Sequence, residues 1–158
     1  MRIKPMKKLT PFLISTLLVF GVAACDNASK TSESAPNNPN EAPQSPTVQT
    51  TEASQKDAQS ETRRRQLDSD IRAREQRNNT TGGDADRAKG DLASEVRSKL
   101  EANIPKSQIT VDATKDGVVT VGGTVNNQQE LAKIERLAKE IKGVKSVVVK
   151  TTVAPPTR

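Results

Sequence analysis

Residues 117–125 read GVVTVGGTV, and no other stretch constrains the fold as much. Val119, Val121, Gly123 and Val125 fall on one side by period two, and Val118, Thr120, Gly122 and Thr124 on the other, which is the pattern of a half-buried strand. A phosphate-binding glycine loop would instead sit between a strand and a helix N-terminus, where free N–H groups and the helix dipole meet the anion. Here the glycines lie inside the strand, with neither a GxGxxG spacing nor a following Gly-Lys-Ser/Thr. They serve the fold. Gly123, with no side chain on the core side, is expected to let a helix approach the sheet, while Gly122 faces the open side.

The flanking segments complete a small module. Leu92, Val96 and Leu100 recur every four residues towards Ile104, a helical stripe stopped at Pro105. Ile109, Val111 and Ala113 then alternate with Thr110 and Asp112 as a strand, and Lys115-Asp116-Gly117 supplies the turn into the next one. Asn127 followed by Glu130 resembles a capping box, and Leu131, Ile134, Leu137, Ala138 and Ile141 line one side of the helix it opens. Gly143 marks its stop, Val144 follows at the junction, and Val147, Val149 and Val153 alternate with Val148 and Lys150 in a last strand. The order is αββαβ. A crossover helix returns the third strand parallel to the second, so the expected fold is α+β: a three-stranded mixed sheet with two helices on one face. The fold-defining positions are Gly117, Val119, Val121, Gly123, Gly143, Val144 and Val147.

Composition narrows the function. Of 158 residues 32% are hydrophobic, and histidine, tryptophan and tyrosine are absent. Phe12 and Phe20 are the only aromatics, both in the first twenty residues. The chain therefore lacks an imidazole base or metal ligand, and has no aromatic platform for stacking bases or sugars. Asp112, Asp116 and Glu130 sit at a turn or a cap rather than as a buried pair, and no base stands beside the serines and threonines. The reading is a non-enzymatic protein with no catalytic residue, metal, cofactor, small-molecule substrate or nucleic-acid ligand.

Residues 1–24 carry Arg2, Lys4, Lys7 and Lys8 before an apolar run that begins at Phe12 and is too short for a comfortable membrane span, as in a secretory signal peptide. Its end, Val22-Ala23-Ala24-Cys25, resembles a bacterial lipobox, which implies lipidation of Cys25, the sole cysteine. Asp26 resembles the residue that retains enteric lipoproteins in the inner membrane, implying a periplasmic-side anchor there. Subtracting the four leading basic residues from the net charge of +6 leaves about +2, so the high isoelectric point does not indicate nucleic-acid binding. Residues 25–86 are expected to be a disordered tether. They are rich in Ser, Thr, Asn and Gln, with prolines at 36, 39, 43 and 46, and treated as coil they span about 40–50 Å. Within them residues 61–77 could form a charged helix whose sizeable apolar residues are Leu67 and Ile71. Arg63, Arg64, Arg65, Arg72, Arg74 and Arg77 could meet anionic lipid, but acids at 61, 68, 70 and 75 are interleaved, and the segment reads as nearly balanced and solvated.

The ordered blocks LASEVRSKL, ITVDAT, DGVVTVGGTV, LAKIERLAKEI and GVKSVVV, in sequence and at these spacings, closely resemble the BON domain, named for bacterial OsmY and nodulation proteins. The resemblance covers nearly all of the expected folded part, residues 87–154. It implies a lipid-anchored envelope protein whose domain contacts membrane phospholipid and supports envelope integrity under osmotic or other stress. The residues then expected to meet headgroups are Arg97, Lys99, Lys133, Arg136 and Lys139, with Lys106, Lys142 and Lys145 at junctions. From Arg87 on, 13 basic residues face 8 acidic ones, an excess suited to anionic lipid. With no aromatic available, contact would stay at the surface and be salt-sensitive. The resemblance equally implies an alternative, a transport-associated module docking an envelope protein through its edge strand or a helix face.

Overall fold

The computed structural model describes residues 28–81 and 89–158; the expected signal peptide, residues 1–24, and Cys25 lie outside the described residues. In chain order the elements are β1 (Ser29–Lys30), α1 (Val48–Ala58), α2 (Glu61–Thr81), α3 (Lys89–Asn103), β2 (Gln108–Ala113), β3 (Val118–Val125), α4 (Gln128–Lys139), β4 (Ser146–Val149) and β5 (Thr152–Val153).

From α3 onwards the expected αββαβ order holds. β2 and β3 form an antiparallel hairpin with Val111 opposite Val121, and β3 runs parallel to β4 with Val119 opposite Val147. Both α3 and α4 pack on one face of this mixed sheet. There the inward residues Ile109, Val111, Val119, Val121 and Val125 meet Leu92, Val96, Leu100, Ile134 and Leu137, and all are buried. Burial of side chains of this size contributes about 1.5–3 kcal/mol each, so the core is built from aliphatic residues without an aromatic centre. The N-cap of α4 is as the sequence indicates: Asn127 Oδ1 accepts from the Glu130 N–H (2.9 Å), while the Glu130 carboxylate accepts from the N–H of Asn126, one residue before the cap (2.9 Å). Gly117 and Gly143 adopt positive φ, 82° and 96°, at the hairpin tip and after α4. Val144 and Val147 are partly buried against the core.

The third strand is split. β4 ends at Val149 and β5 begins at Thr152, and the gap lies opposite Gly122 and Gly123 in β3. Gly123 has φ 108°, and a Cβ there would strike the Gln108 carbonyl oxygen on the neighbouring strand. This corrects the expectation for Gly123. It makes room for the backbone of β2, not for a helix, and sets a local twist that only glycine adopts without strain.

The larger difference concerns the segment expected to be a disordered tether. In residues 28–81 the chain instead forms β1, α1 and α2 and covers the domain. β1 adds to the outer edge of β2 antiparallel, Ser29 opposite Val111 and Lys30 opposite Thr110. Residues 31–46 then cross the second face of the sheet. The Pro36 carbonyl accepts from the Thr110 hydroxyl, Ser32 and Ser34 donate to the Gln108 amide oxygen, and a Cβ on Gly122 would collide with Pro39. The face read as open is thus closed, with Thr110, Thr124 and Gln108 buried beneath it. The physical reason is that the cover is held by backbone and hydroxyl hydrogen bonds. Extended, proline-bearing chain makes such bonds without any apolar periodicity. α1 is capped by the Thr47 side chain, and Thr157 bridges to Thr47, so the last residues are tied rather than frayed.

The charged helix expected over residues 61–77 extends to Thr81 as α2 and packs on α3, with Leu67 buried. Its arginines are not merely solvated, as the candidate site makes plain.

Candidate functional site

Five basic residues on the helices are the expected headgroup contacts, and the structure separates them. Arg97 is buried on α3, where its Nη1 donates to Glu101 Oε2 (2.9 Å). Arg63 of α2 reaches the same carboxylate with two bonds, Nε to Oε1 at 2.6 Å and Nη2 to Oε2 at 3.0 Å. Glu101 is 1% exposed, so two guanidiniums neutralise one carboxylate held away from water. That bond to Glu101 is the main cause raising the Arg63 pKa above its ordinary value, against the opposing effect of burial. Arg97 is therefore an internal counter-charge and presents no surface for lipid. The sequence places Arg97 on a charged helix face; only the docking of α2 turns that face inward.

Lys99 and Arg136 converge on Glu140, Lys99 Nζ to Oε2 and Arg136 Nη1 to Oε1, both at 2.8 Å. The hydrogen bond from Lys99 is the largest influence on Glu140 and lowers its pKa; the Arg136 guanidinium adds to it. Lys139 pairs with Glu135 at 2.6 Å, and Lys133 is exposed along α4. Four of the five cations are thus matched by acids, and only the α4 residues face outward in a row. A further arginine cluster lies at the start of α3, where Arg74 and Arg77 both reach Asp91. Burial raises the Asp91 pKa, but hydrogen bonds from Arg77 and Arg74 outweigh it and hold the carboxyl below its usual range.

Two open grooves lie along the covering segment, the first between it and α1. One, about 500 Å³, is lined by Thr31, Ser32, Ser34, Thr50, Ser54 and Asp57 among others. The second, about 260 Å³, includes Gln108 and Thr124, whose buried hydroxyl has no hydrogen-bond partner. Their linings mix hydroxyls and amides with the charged groups of Lys30, Glu33, Glu41 and Asp57. Among the described residues no group of three His, Cys, Asp or Glu could hold a metal ion, and no helix is long and apolar enough to cross a membrane.

From α3 onwards the chain is a small α+β module, a mixed sheet covered on one face by two helices with charged outer surfaces. Residues 88–155 match the BON domain family and are a BON domain. Over 62 residues the chain is 44% identical to the osmotically-inducible protein Y of Escherichia coli (strain K12), an alignment covering 37% of this chain and 30% of that protein. The chain thus spans under a third of that relative's length. No solved structure matches the chain.

Proposed function

We propose that this is a lipid-anchored protein of the cell envelope, on the periplasmic side of the inner membrane, whose BON domain contacts phospholipid and supports envelope integrity under osmotic stress. The observation that carries the reading is the similarity of the BON domain to an osmotically inducible protein. The lipobox-like ending at Cys25 supports the anchor. Two or three acyl chains at about 0.8 kcal/mol per buried methylene make such an anchor firm. The domain adds a weaker, salt-dependent contact through lysines and arginines at its surface. Mass spectrometry of the mature protein after membrane fractionation tests the anchor: an acylated Cys25 in the inner-membrane fraction is expected, and an unmodified cysteine would remove it. Flotation of the unacylated mature chain with anionic vesicles at low salt tests the domain.

A second reading, docking of an envelope protein, is favoured by the free edge of the sheet. Val148, Val149 and Val153 are exposed there, 42%, 37% and 37%, on strands beside whose outer side no further strand lies among the described residues. Such an edge can accept an added strand. Absence of vesicle binding at low salt would favour this reading over the first.

A further inference from the structure

Building on the lipid-anchored reading, we infer that the β2–β3 hairpin end of the domain is its membrane-facing surface, with Lys115, Lys142 and Lys145 meeting anionic headgroups.

The placement follows from β1. Because Ser29 pairs with Val111 and Lys30 with Thr110 antiparallel, the chain preceding Ser29 leaves towards Asp112 and the hairpin. Ser29 is pinned there by a second contact, its hydroxyl lying 3.1 Å from that of Ser94 on the first half of α3. Only three residues lie between Cys25 and Ser29, so the four Cα–Cα steps joining them span at most about 14 Å even fully extended. An acyl anchor on Cys25 therefore holds this one end of the sheet at the bilayer. It does not allow the domain the wide range of a 60-residue coil.

The same end gathers cations. The hairpin tip and the loop after α4 are in backbone contact: the Gly117 carbonyl accepts from the Lys145 N–H at 2.8 Å, and a Cβ on Gly117 would strike the Gly143 carbonyl. Lys115, Lys142 and Lys145 are all exposed around this contact. Among the described residues, of the acids nearby Glu140 is engaged by Lys99 and Arg136, and Asp91 by Arg74 and Arg77, leaving Asp112 and Asp116 on the hairpin. At the opposite end, around the start of α4, Lys106 lines one groove together with the acids Glu52 and Glu130. Charge and tether thus select the same surface. Lys142 and Lys145 are two of the junction lysines marked by the sequence, and the fold adds Lys115 beside them.

The test uses the acylated full-length mature protein in vesicles containing phosphatidylglycerol and a headgroup quencher. Fluorophores are placed at Lys115→Cys or, at the far end, Gln129→Cys. Quenching is expected to be about twofold or more stronger at 115, since the field and the quencher both act over short range. Equal or reversed quenching overturns the orientation. Separately, the unacylated mature chain carrying K115Q, K142Q and K145Q is compared with K56Q, at an exposed lysine of α1, on the same vesicles at low salt. Each lysine near an anionic surface is worth roughly a fivefold change in partitioning, so the triple variant should lose on the order of tenfold to a hundredfold while K56Q changes little. Undiminished binding of the triple variant, or no binding by the unsubstituted chain, overturns the lysine contact. Mass spectrometry separates the two levels: an unacylated Cys25 sinks the anchored reading itself, whereas an acylated protein with position-independent quenching sinks only this orientation.

Discussion

Arg63 and Glu101 lie 38 residues apart and form a two-pronged ion pair that joins α2 to α3, with Arg97 completing the neutralisation of the buried carboxylate. This pair makes the N-terminal half of the chain part of the fold. Removing one partner of a buried pair costs more than the pair gains, because the remaining charge loses its solvation without compensation.

Arg63→Ala should therefore loosen α2 by roughly 1–3 kcal/mol, the range for hydrogen bonds to charged groups. Hydrogen exchange is the appropriate readout: amides of α2 should exchange faster while those of β3 keep their protection. Uniform loss of protection across both would mean that α2 and the sheet form a single cooperative unit.

Leu67 tests the apolar side of the same contact. It is 3% exposed on a helix that is otherwise almost wholly polar. Leu67→Ala should weaken α2 docking by about 2–3 kcal/mol through lost burial and the space left behind. Protease cutting within residues 59–88 should rise several-fold, with the BON domain surviving as the resistant fragment.

The two adjacent glycines should separate sheet from cover. Gly123→Ala forces a side chain into positive φ and against Gln108, and should lower stability by more than about 2 kcal/mol in chemical denaturation. Gly122→Ala instead meets Pro39. It should displace residues 36–40 and increase exchange in the covering segment, while the β2–β3 hairpin remains protected. A mild effect at Gly122, as an open face would give, would show that the cover is absent in solution.

Acid should release the C-terminal end of α2. The folded pKa of Asp91 lies below the ordinary 3.8, so its bonds to Arg74 and Arg77 contribute fully above that value and are lost as pH falls through the folded pKa. In a pH series, the wild-type protein should lose α2 protection below about pH 4. Asp91→Asn should show weakened docking already at neutral pH and no further Asp91-dependent loss in acid.

The helices and strands of residues 89–153 were legible because their apolar residues recur with periods that only a helix or a strand can bury. Gly117, Gly143 and the Asn127 cap were legible for a similar reason, since local backbone demands select those residues. The covering segment carries no such mark. Thr31, Ser32, Ser34 and Pro36 hold the sheet by hydrogen bonds that any polar linker could make, and their partners Ile109, Gln108 and Thr110 lie more than 70 residues away. The role of Arg97 was hidden likewise, because a cation on a helix reads as solvated until another helix lies over it.

The amino-acid sequence by itself thus determined the αββαβ core, since period and turn chemistry are local properties. Only the tertiary structure decided that the second face of the sheet is covered, that Gly123 yields to a strand, and that the hairpin end gathers Lys115, Lys142 and Lys145. Those outcomes depend on which distant groups meet, and polar contacts leave no periodic trace in the chain that makes them.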